Sequence, residues 1–352
     1  MLFTASTVKD TLPNVRRFVA GNLAGGVDHL FVFLDAADPD VRGFLDGHPH
    51  VTCVRTDKSW WHGERPDQLN VRQRINANVV KALLSVVDGA DWLFHIDADE
   101  IAQIDRAALA RVPADTRVVR LAPLEAVSRK HWDGDPTWFK RLLGKNDLIL
   151  LQTLGVLDKP SNGAYFHGHV DGKTGIRPGL DLWLTLHHTV DERGEKQEPW
   201  NDDGLRLLHY ESFSGEEFVR KWTSILAAGP TPNFRPAREP TAIALRTLIA
   251  KGLSEEQAAP YLMRIFERTT EDDFDTLRDL GLLEEFDPLR GNHVPEALSP
   301  GAREQIDELV ARLTEEPKGI FHPKQSPGED RLALERATGG RVRAGRSFLR
   351  RS

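Results

Sequence analysis

The sequence has little cysteine, no long apolar run and no excess of basic charge. The single cysteine, Cys53, excludes internal disulfides and any zinc site built on cysteines, and it indicates a reducing compartment. No uncharged apolar run approaches the ~20 residues that cross a bilayer, and the opening MLFTASTVKDTLP lacks the features of a signal peptide. A formal net charge of -7 argues against a general nucleic-acid binder. We therefore expect a cytoplasmic protein.

The first hundred residues alternate between short apolar runs and helical periodicity. Pro13 predicts the start of one helix, which Gly25 and Gly26 close, and apolar residues at helical spacing predict another over residues 71–88. Runs rich in apolar and β-branched residues predict strands at 2–7, 29–35, 51–57 and 92–96. Strands that alternate with helices predict an α/β fold with a parallel sheet.

Polar residues follow the predicted strands, where a parallel sheet binds its ligands. Those at or just after a strand end are Thr7, Asp35, Asp57, Asp97 and Asp99. We therefore expect a site on the edge of the sheet where the strands end.

In the second half of the chain the alternation of strands and helices is less regular. Further strands are predicted at 117–123 and 204–210, and a helix at 214–226. The proline-rich stretch 229–240 indicates a boundary, and the chain beyond it is predicted to be helical at 241–251, 254–268 and 301–315. The stretch from Pro317 onward holds nine Lys or Arg and three acidic residues, which predicts a loose basic tail. The predicted division is 1–225, 226–316 and 317–352.

The stretch DWLFHIDADEI (91–101) places three carboxylates in four positions directly after an apolar strand. On an extended segment Asp97 and Asp99 would face the same way, and a divalent cation would remove their repulsion. Hard oxygen ligands suit Mg²⁺ or Mn²⁺, which commonly also holds substrate phosphates. This pattern predicts a metal site, and the alternative is a solvated loop.

This stretch resembles the DxD-Glu motif of family-2-like glycosyltransferases with the GT-A fold. NVRQRINAN (70–78), GKTGIRP (172–178) with His187 and His188, and LHYESFSGEEFVRKW (208–222) are similar to further motifs of that group, in the same order. The resemblance covers about residues 1–225. It implies a GT-A nucleotide-diphospho-sugar transferase fold with a helical C-terminal extension. It also implies transfer of a sugar from a nucleotide-sugar donor to the hydroxyl of a carbohydrate or glycoconjugate acceptor, with inversion.

By this resemblance, residues from Thr4 to Val8, including Ser6 and Thr7, flank the base and ribose of the donor together with Asp35, and Asp57 lies near the base. A histidine late in such domains often completes the metal site, which implies His209 first and His188 second. The resemblance thus adds donor contacts and a further metal ligand to the carboxylates.

Basic and aromatic residues extend the predicted donor site. Arg72 and Asn76, and likewise Arg74 and Asn78, are four apart on one helix, so each pair shares a face. Arg74 could hold a phosphate, or hold Asp97 and Asp99 in place. Lys173 and Arg177 could bind the diphosphate, and Trp60 or Trp61 could stack on a sugar ring. An exposed helix face, ordinary surface charges and core packing are the respective alternatives.

Inversion needs a carboxylate that accepts the proton of the attacking hydroxyl. Asp171 is the first candidate for this base and Glu211 the second, while Asp133 and Asp135 stay open.

Two other functions fit a DxD after a strand. A phosphohydrolase of the haloacid-dehalogenase type uses the first Asp as its nucleophile, but that motif normally lies near the start of the chain. A non-catalytic nucleotide-sugar-binding module would keep donor binding without turnover. The basic tail could also touch an anionic membrane surface.

Overall fold

The computed structural model describes residues 1–35, 38–227, 239–289, 291, 293–323 and 329–338. Its strands are β1 Leu2–Val8, β2 His29–Leu34, β3 Val51–Arg55, β4 Trp92–His95, β5 Glu100–Ile104, β6 Val118–Ala126, β7 Trp138–Arg141, β8 Lys173–Ile176, β9 Leu182–Leu184, β10 Thr189–Asp191, β11 Leu205–His209 and β12 Leu283–Glu285.

A 3₁₀-helix spans Lys318–Phe321, and the remaining helices are α-helical. They are α1 Leu12–Ala24, α2 Pro39–Asp46, α3 Leu69–Leu84, α4 Arg106–Ala110, α5 Lys145–Thr153, α6 Asn162–Tyr165, α7 Gly215–Ala227, α8 Glu239–Ile249, α9 Glu255–Thr269, α10 Phe274–Asp279, α11 Pro300–Thr314 and α12 Glu329–Ala337. No helix among the described residues is long and apolar enough to cross a membrane.

The chain divides into two compact units. Unit 1 comprises Met1–Ala122, Asp171–Leu207 and Pro288–Ser352, and unit 2 comprises Pro123–Val170 and Leu208–Asp287. Strands β6 and β11 contribute residues to both. The sequence predicted domains that are continuous along the chain, with boundaries at 225 and 316. That division stays a prediction, and each compact unit is assembled from separate stretches of the chain.

Unit 1 is built on a mostly parallel sheet in the order β6-β8-β4-β1-β2-β3. β1 pairs in parallel with β2 and β4, and β2 with β3, while β8 lies antiparallel between β4 and β6. Apolar clusters cover both faces of this sheet, so its strands are buried on both sides. The predicted α/β class, with a mostly parallel sheet flanked by helices, is confirmed.

The predicted strands and helices of unit 1 agree with the observed ones to within a few residues. Helix α1 has a proline in its first turn and ends at Gly25, as the sequence predicts. Gly26 follows with a φ of 110°, a conformation that only glycine adopts at no steric cost.

The predicted loose tail differs from the structure where it is described. The 3₁₀-helix and α12 lie within residues 317–338, and they pack on α3 through buried Phe321, Ala333 and Leu334. Apolar burial therefore orders these two segments despite the basic composition. Residues 324–328 and 339–352, which hold most of the predicted basic tail, lie outside the described residues.

Unit 2 has a smaller antiparallel sheet, in which the second half of β6 pairs with β7 and β7 pairs with β12. Helices α7, α8 and α9 pack around a core of their own, which contains Phe218, Trp222 and Phe266. The three helices predicted beyond the boundary are confirmed as α8, α9 and α11. Most of the predicted boundary, residues 229–238, lies outside the described residues.

Candidate active site in unit 1

The strand ends of unit 1 share one edge, as predicted. Val8 pairs with Leu34 and Leu34 with Arg55, so β1, β2 and β3 end side by side, and β4 ends beside β1. The DxD motif follows β4 at this edge.

The DxD motif forms a tight turn and is not extended. The backbone N–H of Glu100 donates to the carbonyl of Asp97 over 3.1 Å, which closes the turn through Ala98 and Asp99. In return, the carboxylate of Glu100 accepts a hydrogen bond of 2.7 Å from the backbone N–H of Asp97. The extended geometry predicted for this pair is therefore wrong. After this turn the chain enters β5, which begins at Glu100.

Lys173 compensates this acidic turn. Its ammonium donates to Oδ2 of Asp97 over 2.6 Å and lies 3.5 Å from Oε2 of Glu100, and both Lys173 and Glu100 are 0% exposed. Burial alone would lower the pKa of Lys173, but the two carboxylates outweigh it and hold that pKa above its ordinary value. The three carboxylates and one ammonium leave a net charge of -2 on the turn.

Strand direction explains how this contact forms. Because β8 is antiparallel to β4, its first residue, Lys173, lies at the edge where β4 ends. Arg177 follows the other end of β8, four residues and roughly 13 Å away, and its guanidinium lies 4.5 Å from the ring of Trp92 at the start of β4. Lys173 and Arg177, which are both predicted to bind the diphosphate, thus lie at opposite ends of β8, and Lys173 contacts the acidic turn.

Helix α3 supplies a second set of contacts to this edge. Gln73 donates from Nε2 to Oδ1 of Asp97 over 2.5 Å, so Gln73 takes the place predicted for Arg74. Asn76 donates to the hydroxyl of Thr7 over 2.9 Å. Asn78 instead bonds both backbone groups of Leu184, which makes it a structural clamp on β9.

Asp35 is held by two arginines. Arg65 reaches its Oδ1 and Arg72 its Oδ2, at 2.9 and 2.8 Å, and the side chain of Asp35 is 3% exposed. Arg72 also donates to the carbonyls of Pro66 and Asp67, which fixes the loop before α3. Asp35 thus lies at the predicted edge and organises the arginines around it.

Other predicted donor residues lie within the core or in the turn after β3. Thr4 and Ser6 lie within β1 and are buried, with their hydroxyls unpaired among the described residues. Trp61 is 2% exposed and its ring belongs to the core, which favours the alternative of core packing over the stacking predicted for it. Asp57 caps the following turn through Ser59, a hydrogen bond that lowers the pKa of Asp57.

The remaining predicted residues of unit 1 lie near the turn in sequence or in strand order. Asp171 is exposed and lies two residues before Lys173, and its carbonyl accepts from Arg120 over 2.7 Å. His188 is half-buried in the turn between β9 and β10, and its pKa is lowered chiefly by burial. His95, predicted to be a core residue, is 2% exposed, and burial together with the charge of Lys173 lowers its pKa to about 4.

His209 and Glu211 belong to unit 2. His209 ends β11, and its ring stacks on that of His169 with centroids 4.9 Å apart. The carboxylate of Glu211 accepts from Lys221 over 2.8 Å and lies 3.7 Å from Nε2 of His209. His169 is not among the residues predicted from the sequence. Asp133 and Asp135 are exposed residues of the same unit.

The residues of the acidic turn fit a hard divalent cation. Each oxygen of Asp97 accepts one hydrogen bond, and each carboxylate oxygen has two lone pairs, so each retains acceptor capacity. Asp99 is half-buried at the tip of the turn, and its oxygens are the donors that Mg²⁺ and Mn²⁺ prefer.

Comparisons with known proteins give structural likenesses only. No protein-family model matches the chain, and no curated protein matches it. Galactosyltransferase LgtC in complex with donor and acceptor sugar analogs is 12% identical, with 51% of this chain and 58% of that chain covered and a TM-score of 0.25. HddC from Yersinia pseudotuberculosis is 11% identical, with 51% of this chain and 77% of that chain covered and a TM-score of 0.25.

The bifunctional glycosyltransferase WbbM is 12% identical over 50% of this chain and 31% of its own, with a TM-score of 0.24. This chain therefore spans less than two thirds of LgtC and about a third of WbbM. At these scores the likenesses add nothing to what the residues of the site themselves support.

Proposed function

We propose that this protein is a nucleotide-sugar-dependent glycosyltransferase of the GT-A type that uses Mn²⁺ or Mg²⁺. The observation that carries the proposal is the net charge of -2 on the turn of Asp97, Asp99 and Glu100, at the ligand-binding edge of the sheet. One divalent cation matches this charge. The order of the four sequence motifs supports the same family.

The metal, when bound, would neutralise the diphosphate leaving group of the donor. Asp97 and Asp99 would hold it, while Gln73, Lys173 and Glu100 fix the turn that carries them. The sequence adds His209, with His188 as the alternative, as a further ligand, and this stays a prediction.

Asp171 is the proposed general base, with Glu211 as the alternative. In the reaction the acceptor oxygen bonds to the anomeric carbon as the bond from that carbon to the diphosphate oxygen breaks, and the hydroxyl proton passes to the carboxylate. Asp171 is exposed, which suits a base that must meet an acceptor. Glu211 is 3% exposed and already accepts from Lys221.

A phosphohydrolase would need Asp97 as its nucleophile. Both oxygens of Asp97 accept hydrogen bonds, from Gln73 and Lys173, which draws electron density from the attacking atoms. The structure gives no observation that favours this alternative.

Calorimetric titration with a panel of nucleoside diphosphates, with Mn²⁺ and with chelator, tests the proposal. One nucleotide should bind in the presence of Mn²⁺ and not in chelator, and Asp99→Ala should weaken its binding by about tenfold or more, since loss of groups that merely support a metal ligand already costs that much. Asp115→Ala, which removes an exposed carboxylate of the same unit, is the matched control. Nucleotide binding that ignores Mn²⁺, or equal binding by both variants, would contradict the metal site.

A further inference from the structure

Lys173 occupies the position in which a cation would be expected beside the first carboxylate of the motif. Its ammonium lies 2.6 Å from Oδ2 of Asp97 and 3.5 Å from Oε2 of Glu100. The side chain is 0% exposed, so the charge has no access to water and depends on these partners.

The protein's own groups hold the turn in place. Asp97 is fixed through its backbone N–H and carbonyl by Glu100, and through its carboxylate oxygens by Gln73 and Lys173. Four hydrogen bonds from one helix, one strand and the turn itself therefore define its geometry. Asp99, at the tip, takes no part in these four contacts.

A buried lysine is costly where a metal alone could balance the acids. If a metal ion were the only compensating charge, the turn would carry a charge of -3 whenever the metal dissociated, and one of its three carboxylates, that of Glu100, lies fully buried in a low-dielectric surrounding. The resident ammonium keeps the charge at -2, and it lies within 2.6 Å of Asp97 and 3.5 Å of Glu100, so it holds both carboxylates in the turn.

We propose that Lys173 is a resident counter-cation of the DxD turn, which preforms the turn and lowers its affinity for divalent metal. Lys173 is then a positioning residue that acts through Asp97, and it does not contact the diphosphate. The inference rests on the metal-dependent function proposed above and deepens it. If Lys173 has this role, the affinity for metal depends on the charge of the turn. Substitutions can change this charge, and metal binding can then be measured without nucleotide.

Mn²⁺ titration of nucleotide-free protein, followed by the paramagnetic resonance signal of free Mn²⁺, tests the inference. Lys173→Met takes the turn from -2 to -3 and should tighten Mn²⁺ binding by about tenfold or more, the scale on which groups around a metal ligand act. Lys173→Met combined with Glu100→Gln restores -2 and should return the affinity to near the wild-type value. Lys159→Met removes an exposed lysine of unit 2 and is the control for net charge.

A purely structural role for Lys173 predicts the opposite change in Mn²⁺ affinity. A lysine that served only to support the structure would, when removed, disorder the turn and weaken Mn²⁺ binding in both variants. Weaker or unchanged binding by Lys173→Met, with its circular dichroism spectrum intact, would therefore overturn the inference.

A second comparison applies if Lys173→Met does not fold. Glu100→Gln alone has a turn charge of -1, and adding Lys173→Met to it should tighten Mn²⁺ binding by about tenfold or more. Equal binding by these two proteins would overturn the inference.

The inference and the proposed function fail in different ways. If the wild-type protein binds neither Mn²⁺ nor nucleotide, the proposed function fails. A Mn²⁺ site that appears in Lys173→Met would then still support the role of Lys173, and its absence would refute that role.

Discussion

Replacing Lys140 by Met should strongly destabilise unit 2, because it removes the cation from a buried network. The ammonium of Lys140 lies 3.0 Å from Glu125 and 3.0 Å from Asp272, and it donates to the carbonyl of Tyr165 over 2.9 Å. The side chains of Lys140 and Glu125 are 0% exposed and that of Asp272 is 9% exposed. Methionine fills a similar volume, so the change isolates the charge.

The magnitude follows from the charges that are left behind. Removing one partner of a buried ion pair costs about 3–5 kcal/mol, since the remaining charge stays buried without compensation. Here two carboxylates lose their cation, while Glu125 keeps its hydrogen bonds from the N–H groups of His167 and Gly168. We therefore expect a loss of about 3–5 kcal/mol in the free energy of unfolding at pH 7.

The loss should shrink in acid. Burial would raise the pKa of Asp272, but Lys140 and His167 more than offset it and lower that pKa to about 2, below the ordinary 3.8. In the wild type this group therefore stabilises the fold above about pH 4, and the contribution disappears as the pH falls toward 2. Without Lys140 the effect of burial on the pKa of Asp272 prevails, so the carboxyl of Asp272 is protonated more readily in the folded variant. A lower pH therefore reduces the loss of stability that the substitution causes.

Urea denaturation at pH 7 and pH 4, together with hydrogen exchange of the β6 and β7 peptides, measures the effect. Lys145→Met removes an exposed lysine at the start of α5 and serves as the control. A loss below about 1 kcal/mol at pH 7, similar to that of an exposed charge, would refute the reasoning. So would a loss that grows at pH 4.

Two further changes test the packing of unit 1. Lys318→Met should lower the free energy of unfolding by about 2 kcal/mol and speed hydrogen exchange at residues 313–321. The ammonium of Lys318 donates to three carbonyls in and just after the last turn of α11 and lies 4.4 Å from the ring of Trp60. Unchanged exchange would contradict this prediction. Gly175→Ala should lower the free energy of unfolding by about 1–3 kcal/mol, because a Cβ there would lie 2.3 Å from Cε1 of buried Phe94. Gly179→Ala, where a Cβ meets nothing within 4 Å, should be nearly neutral, and equal losses would contradict the clash.

Local patterns predicted the elements of unit 1 well. Alternation, apolar runs and helical spacing depend on a few neighbouring residues, so β1 to β4, α1 and α3 follow from the sequence. Parallel pairing then placed Asp35 and Asp97 at one edge, since strand direction follows from the alternation of strands with helices.

Pairings between distant residues could not be predicted in this way. Lys173 is 76 residues from Asp97 in sequence, and their contact depends on β8 running antiparallel to β4. Nothing in GKTGIRP specifies that direction, so Lys173 and Arg177 looked alike although they lie at opposite ends of one strand. The same limit applies to Lys140 and Asp272, which are 132 residues apart.

The DxD-Glu stretch shows how a dense acidic motif can be tolerated at a strand end. Its three carboxylates have different surroundings: Glu100 is fully buried and caps the turn, Asp97 is held through both oxygens, and Asp99 stands at the half-buried tip. Repulsion is thus relieved mainly where burial would make it costly, by an ammonium brought in on a neighbouring strand. It follows that the two aspartates are not equivalent. Loss of Asp97 releases Lys173 and the shape of the turn, whereas loss of Asp99 removes charge from the tip and leaves these contacts intact.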